Sequence, residues 1–127
     1  MSEPVKRAGK KRWYIPDAFN PSSGRGEKWE SHDCVSILNV GEEDAKVRFA
    51  FYFEDTDPVE DIFVTIPGKH CKHVQMNRPE LLGGYAVPRD VPYAIMVESD
   101  VEIIVQYSRM DVTQPNMTLM TAIPYSE

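Results

Sequence analysis

The sequence predicts an all-β fold, an antiparallel β-sandwich or jelly roll in a single domain. Three observations predict it. Apolar and polar residues alternate at the period of a strand in several short runs. Ten prolines and clusters of Gly, Asn, Ser and Asp punctuate those runs. No stretch carries the apolar stripe of an amphipathic helix, so short strands between turns are the consistent reading. A chain of 127 residues with 42% hydrophobic residues holds one core and not two.

The first dozen residues gather Lys6, Arg7, Lys10, Lys11 and Arg12 around Gly9 with little to pack. Residues 1–12 are read as a flexible basic arm and 13–127 as the folded domain. Order is expected from Trp13-Tyr14-Ile15, which runs into the turn-rich surface loop PDAFNPSSGRGEK. Val35 and Ile37 mark the next strand. The cleanest alternation follows, with Ala45, Val47, Phe49, Phe51 and Phe53 interleaved by Lys46, Arg48, Ala50 and Tyr52. The turn residues from Asn39 to Asp44 predict that these two strands form a hairpin. After the acidic loop EDTDPVED, Ile62, Val64 and Ile66 read as a strand closed by Pro67-Gly68, and another spans Cys71 to Met76. Pro79 at a first-turn position and Gly83-Gly84 behind it predict a single helical turn. Tyr93 to Glu98 and Val101 to Ser108 are expected to form a second hairpin around Ser99-Asp100. Thr118 to Ile123 is expected as an edge strand.

Charge limits the partners. With 14 Lys and Arg against 20 Asp and Glu, the net charge of −6 repels phosphate backbones, so nucleic acid is an unfavoured partner. No apolar run reaches the roughly 20 residues of a membrane-spanning helix, and the N-terminal segment is charged where a signal peptide carries its apolar core. A cytoplasmic protein is expected, and two cysteines fit a reducing compartment. Ile104, Leu38, Ala50, Tyr52, Phe63 and Met96 fall on the strand faces turned away from the expected core. That leaves a choice between scattered surface hydrophobes and a homo-oligomer interface.

The chemistry-bearing residues form no catalytic signature: GxSxG, HExxH, a phosphate-binding glycine loop and framed carboxylate pairs are all missing, so no enzyme is predicted. On strands, His32 shares a face with Cys34, and Cys71 with His73. The four converge as a Cys₂His₂ site only if those strands are neighbours in matching register, and the spacing matches no usual zinc loop, so neither a metal nor a cofactor is expected. Glu54, Asp55, Asp57, Glu60 and Asp61 lack EF-hand spacing and read as a solvated loop. His73, Asn77, Arg78, Gln106 and Arg109 are directional hydrogen-bonding groups at or near strand ends. With Trp13 or Tyr93 as an apolar plate, such groups hold small polar ligands; capping of strand ends and subunit contact is the competing reading. Gln106 and Arg109 face opposite sides by parity.

Taken together, the segments WYIPD from Trp13, SHDCVSILNVGEEDAKVRFAFYFED from Ser31, Ile66-Pro67 with His73 and Asn77, VPRDVPYA from Val87, ESDVEIIVQYSRMD from Glu98 and NMTLMTAIPY from Asn116 resemble the sensory rhodopsin transducer family. The resemblance spans nearly the whole chain beyond the basic arm. It implies an eight-strand-class β-sandwich of jelly-roll type assembling as a homotetramer. The implied role is non-enzymatic: binding a small polar, sugar-like ligand and passing a signal, in the founding case from a membrane photoreceptor. DNA binding is a further role entertained for the family. The pocket candidates it carries over are His32, His73, Asn77, Gln106 and Arg109. Departures are Ala18 where Gly is common, Gly68-Lys69-His70 in place of a small-residue and arginine run, and Glu102 where Pro is common. Two alternatives stand beside this reading. One is a ligand-free protein docking on the cytoplasmic face of a membrane receptor, with the basic arm near anionic headgroups. The other is a metal-dependent enzyme using His32 and His73.

Overall fold

A computed structural model describes residues 7–22, 30–114 and 116–127. Among the described residues the chain forms eight strands and one 3₁₀ turn: β1 (Lys10–Ala18), β2 (His32–Asn39), β3 (Ala45–Phe53), β4 (Val59–Ile66), β5 (His70–Gln75), the turn Pro79–Leu81, β6 (Tyr93–Asp111), β7 (Thr118–Ala122) and β8 (Tyr125–Ser126). All pairings are antiparallel. The all-β class expected from the alternation is the class observed.

One strand organises the architecture. β6 runs for 19 residues; its first half pairs with β1 and β3, and its second half with β2 and β7. One leaf therefore reads β4-β3-β6-β1-β8 and the other β5-β2-β6-β7, sharing β6. The expected hairpin at Ser99-Asp100 does not form. Neither residue takes the positive φ that a two-residue hairpin turn needs. Instead Ser99 Oγ accepts from Val101 N at 3.3 Å and Asp100 Oδ1 accepts from Lys46 N at 2.9 Å, so the chain bends and continues. The pairing with β1 slips at the same place, between Lys10↔Ile103 and Arg12↔Glu98.

The expected β2–β3 hairpin is also a correction, because the two strands lie in different leaves. Asn39, fully buried, is the reason. Its Nδ2 donates to the carbonyls of Glu43, Ile66 and Pro67 at 2.8, 3.1 and 3.3 Å, and its Oδ1 accepts from Gly41 N at 3.2 Å and Arg7 Nη1 at 3.0 Å. One side chain thus fastens two of the connections that cross between the leaves, β2 to β3 and β4 to β5. Lys69 N adds a bond to Gly41 O at 2.9 Å. Gly68 is required at this corner, since a Cβ there would stand 2.0 Å from Glu42 O.

Other boundaries shift for local reasons. β1 begins at Lys10, so the last three residues of the expected arm are strand, paired through Lys10 and Arg12 to β6. Residues 1–6 of that arm lie outside the described residues. Pro16, which lacks an N–H, falls in the register shift between Ile15 and Ala18, where a ladder bond is not needed. β4 extends back to Val59 through a bulge at Asp61, whose φ is +62°.

The inner faces of the two leaves enclose one core. Trp13 and Ile15, Val35 and Ile37, Val47, Phe49 and Phe51, Ile62, Val64 and Ile66, Val74, Ile95, Val97, Ile103 and Val105 come from six strands and pack as one cluster. Phe51 contacts Phe49, Tyr85 and Tyr93, with ring centroids 6.2, 5.6 and 6.0 Å away. Of the residues expected on outer faces, Leu38, Tyr52 and Phe63 are exposed, whereas Ala50 and Met96 are buried outside the main cluster. No helix among the described residues is long and apolar enough to cross a membrane.

Candidate functional site

Strand parity decides where each candidate side chain goes. His32, Cys34, Ser36 and Leu38 occupy the outer face of β2, while Asp33, Val35, Ile37 and Asn39 point inward. The ladder sets Ser36 opposite both His73 of β5 and Gln106 of β6, so His73 and Gln106 flank one serine in a single outer row. His32 lies on the same face near the strand's beginning, opposite Met110, with Nδ1 2.9 Å from Glu30 O. Asn77 follows β5 and donates to Glu30 Oε1 at 3.2 Å; Arg89 also binds that carboxylate. Burial draws the His32 pKa down against the opposing Asp33 charge.

Arg109 stands on the other face. The five expected site residues therefore do not converge on one pocket, because positions 106 and 109 differ by an odd number on one strand. The Cys₂His₂ arrangement fails for a related reason. Register places Cys34 opposite Gln75 and Cys71 opposite Leu38, which offsets the two pairs along the strands. No group of three or more His, Cys, Asp or Glu among the described residues is placed to hold a metal ion.

The inward position of Asp33 creates a centre that sequence reasoning missed. Its carboxylate is fully buried and accepts four hydrogen bonds: from Phe19 N and the Tyr93 hydroxyl, each at 2.7 Å on Oδ2, and from the Tyr107 hydroxyl at 2.5 Å and Arg109 Nε at 3.1 Å on Oδ1. Asn20 supports the same turn by accepting Asp33 N at 2.8 Å. A buried charge is tolerated only with such partners, and here four donors and one counter-charge surround it. Burial, then the Asp33 charge and hydrogen bond, push the Tyr93 phenol far up; burial and the Asp33 hydrogen bond do the same to Tyr107. Both stay protonated donors. Tyr93, expected as an open ligand plate, is thus consumed by the core, as is Trp13, whose Nε1 donates to Lys10 O at 3.0 Å. The signal in the sequence was an acidic residue in the inward register of Val35 and Ile37, matched by Tyr107 and Arg109 in the inward register of β6.

A groove of about 350 Å³ adjoins this centre. Tyr14, Ile15, Pro16 and Asp17 of β1, Tyr107 of β6, and Met120, Ile123 and Tyr125 of the closing segment are among its lining. Tyr14 and Tyr125 meet with ring centroids 6.0 Å apart. Arg109 Nη2 is buried without a hydrogen-bond partner among the described residues and lies 3.6 Å from Asp17 Oδ1, an ion-pair distance too long for a hydrogen bond. The groove is apolar and aromatic along its walls, with an exposed carboxylate backed by a guanidinium at one end.

The comparisons agree with one another. A family model described as Anabaena sensory rhodopsin transducer matches residues 8–126. The solved structure described as the crystal structure of Thermotoga maritima 1070 superposes with a TM-score of 0.83 at 38% identity, covering 94% of this chain and 96% of that one. A second, the Anabaena sensory rhodopsin transducer, superposes at 0.72 with 34% identity, covering 81% of this chain and 97% of that one. No curated protein matches the chain. A family match over almost the full length, with two solved relatives above 30% identity, leads to one conclusion: this chain belongs to the Anabaena sensory rhodopsin transducer family.

Proposed function

We propose that this chain is a non-enzymatic signalling protein that binds a small polar, sugar-like molecule and reports its occupancy to a partner. The groove between β1 and the β7–β8 segment carries the reading. Aromatic walls with few polar groups suit a compact ligand that has both C–H faces and hydroxyls. Tyr14, Tyr107 and Tyr125 offer the plates. Asp17 accepts from ligand hydroxyls, backed at 3.6 Å by Arg109 Nη2, which has no hydrogen-bond partner among the described residues. β1 belongs to one leaf and β7 to the other, so a ligand seated here touches both. Transmission needs the ligand to bind two arrangements of the assembly with different affinity; equal affinity would transmit nothing.

In this reading the protein is a cytoplasmic homo-oligomer, a tetramer as the family resemblance implies, and needs no cofactor. The outer row of His73, Ser36 and Gln106 serves subunit contact, with His32 and Asn77 holding the corner at Glu30. The receiving partner is a membrane receptor, in keeping with the relative that is the Anabaena sensory rhodopsin transducer. A second reading, docking on that receptor without a ligand, draws support from the exposed Leu119, Met120 and Ile123 of the closing segment.

A thermal-shift series with neutral sugars and sugar acids tests the proposal on wild type and on Tyr125→Ala, which removes a 66% exposed wall of the groove. A rise in melting temperature with one class, lost in Tyr125→Ala, supports it. No shift with any member overturns the small-molecule reading in favour of ligand-free docking.

A further inference from the structure

The end of the basic arm, expected to be flexible, is tied to one spot. Arg7 lays its guanidinium on the corner where β2 passes to β3: Nη1 donates to Asn39 Oδ1 and Nη2 to Glu43 O, each at 3.0 Å. Glu43 O also accepts from Asn39 Nδ2 at 2.8 Å, so the arginine closes a ring of bonds with the buried amide that fastens the two leaves. The planar fork of a guanidinium meets two fixed acceptors at once, which the point charge of a lysine ammonium does not reproduce.

Two glycines make room for this path. A Cβ on Gly41 would collide with Arg7 Cζ, and its next nearest neighbours would be Arg7 Nη1 and Nη2, so the space above Gly41 is filled by the guanidinium. Gly9 holds φ +104° and lies so close to β6 that a Cβ there would collide with Ile103 O. Lys10 then pairs with Ile103 in the second half of β6, while Arg12 pairs with Glu98 in the first half. The segment from Arg7 to Lys10 thereby joins the corner between the leaves to the second half of β6, and its last carbonyl, Lys10 O, accepts the indole N–H of core Trp13 at 3.0 Å. The bond to Glu43 O is exposed and the bond to Asn39 only partly buried, so water can replace Arg7 without opening the core.

We propose that the corner formed by Asn39, Gly41 and Glu43 is a binding socket for a guanidinium group and that Arg7 is its resident ligand, which makes residues 7–10 a detachable clasp. Seated, the clasp locks the crossing between the leaves. Withdrawn, it leaves the socket open to another guanidinium. The socket shares no residue with the groove at Tyr14 and Tyr125 and does not rest on the reading given for it.

Native-state hydrogen exchange of the full chain tests it on wild type, Arg7→Ala, Gly41→Ala and the double variant. In Arg7→Ala the amides of Gly41, which donates to Asn39 Oδ1, and of Lys69, which donates to Gly41 O, should exchange about tenfold faster, the loss of roughly one hydrogen bond to a charged group. Gly41→Ala puts a methyl group where the guanidinium lies; it should reproduce Arg7→Ala, and the double variant should be no worse than either single one. Methylguanidinium chloride should restore protection in Arg7→Ala saturably and leave the double variant, whose socket is blocked, unchanged. Methylammonium chloride and sodium chloride at the same ionic strength should restore nothing. Exchange in Arg7→Ala within about twofold of wild type, additive effects of Arg7→Ala and Gly41→Ala, or methylguanidinium that rescues no better than methylammonium each overturns the proposal.

Discussion

Replacing Asp33 by alanine tests the central claim about how the two leaves are held together at the end of β6. The substitution removes a fully buried carboxylate and leaves the Arg109 guanidinium, the Tyr93 and Tyr107 hydroxyls and Phe19 N without their acceptor. Breaking a buried ion pair from one side costs about 3–5 kcal/mol. Arg109 keeps 24% of its side-chain surface in solvent, so part of its charge is rehydrated and about 3–4 kcal/mol is the expected loss. Urea unfolding followed by the fluorescence of core Trp13 measures it. With an m-value of about 1.5–2 kcal/mol per molar, the midpoint should fall by about 2 M. Asp33→Asn, which keeps one acceptor oxygen, should lose about 2–3 kcal/mol. Asp17→Asn is the control: that carboxylate is 89% exposed and only 3.6 Å from Arg109, and its removal should cost less than about 1 kcal/mol. A loss below about 1 kcal/mol for Asp33→Ala, or an equal loss for Asp17→Asn, would refute the assignment of Asp33 as the anchoring charge.

Asn39→Ala should destabilise by about 2–3 kcal/mol, because three carbonyls at the crossing corner lose a buried donor; thermal unfolding checks it, and a change within about 0.5 kcal/mol would contradict the corner's role. Phe49→Ala, in a fully buried position stacked on Phe51, should cost about 3–5 kcal/mol by denaturant titration. Stability should also decline at both ends of the neutral range. His32 is held below the ordinary imidazole value, so its contribution is present above that value and is lost as pH falls from it through the lower native one. Burial raises the Cys34 thiol, so its contribution is present below the ordinary thiol value and is lost as pH rises from it through the higher native one. Urea midpoints across roughly pH 5–10 should lose their acid-side slope in His32→Gln and their alkaline slope in Cys34→Ser; unchanged slopes in both variants would disprove the linkage.

Much of the fold was legible because β2, β3, β4 and β6 each bury one face. The alternation of Ala45 to Phe53 writes the position of β3 directly, and Pro79 with Gly83-Gly84 writes the single helical turn. What was illegible is connectivity that depends on contacts distant in sequence. Asn39 through Asp44 has the composition of a hairpin turn, yet Asn39 spends its amide on Ile66 and Pro67, residues 27 and 28 positions away, and the chain crosses to the other leaf. Ser99-Asp100 misled in the same manner: a polar pair between two apolar runs reads as a turn, and only the different partners of the two halves of β6 show that the strand bends without reversing.

The candidate site exposes a sharper limit. Searching for polar residues near strand ends finds His73 and Gln106, which lie on one outer row, and Arg109, which points to the interior. The more informative signal was polarity in the wrong register. Asp33 sits where Val35 and Ile37 demand an apolar neighbour, and an ionised carboxylate there is stable only if other inward positions supply donors. Tyr93, Tyr107 and Arg109 occupy inward positions of β6, so the partners could be named once β2 and β6 were known to pair. That pairing is the one fact alternation cannot give, since period alone says which face a residue takes and never which strand lies beside it. The same physics places the groove. Asp33 fixes Arg109 through Nε, and that leaves Nη2 buried without a hydrogen-bond partner among the described residues, 3.6 Å from the Asp17 carboxylate that lines the groove. The core's need to neutralise one acidic side chain thereby sets the polar end of the groove proposed to bind ligand.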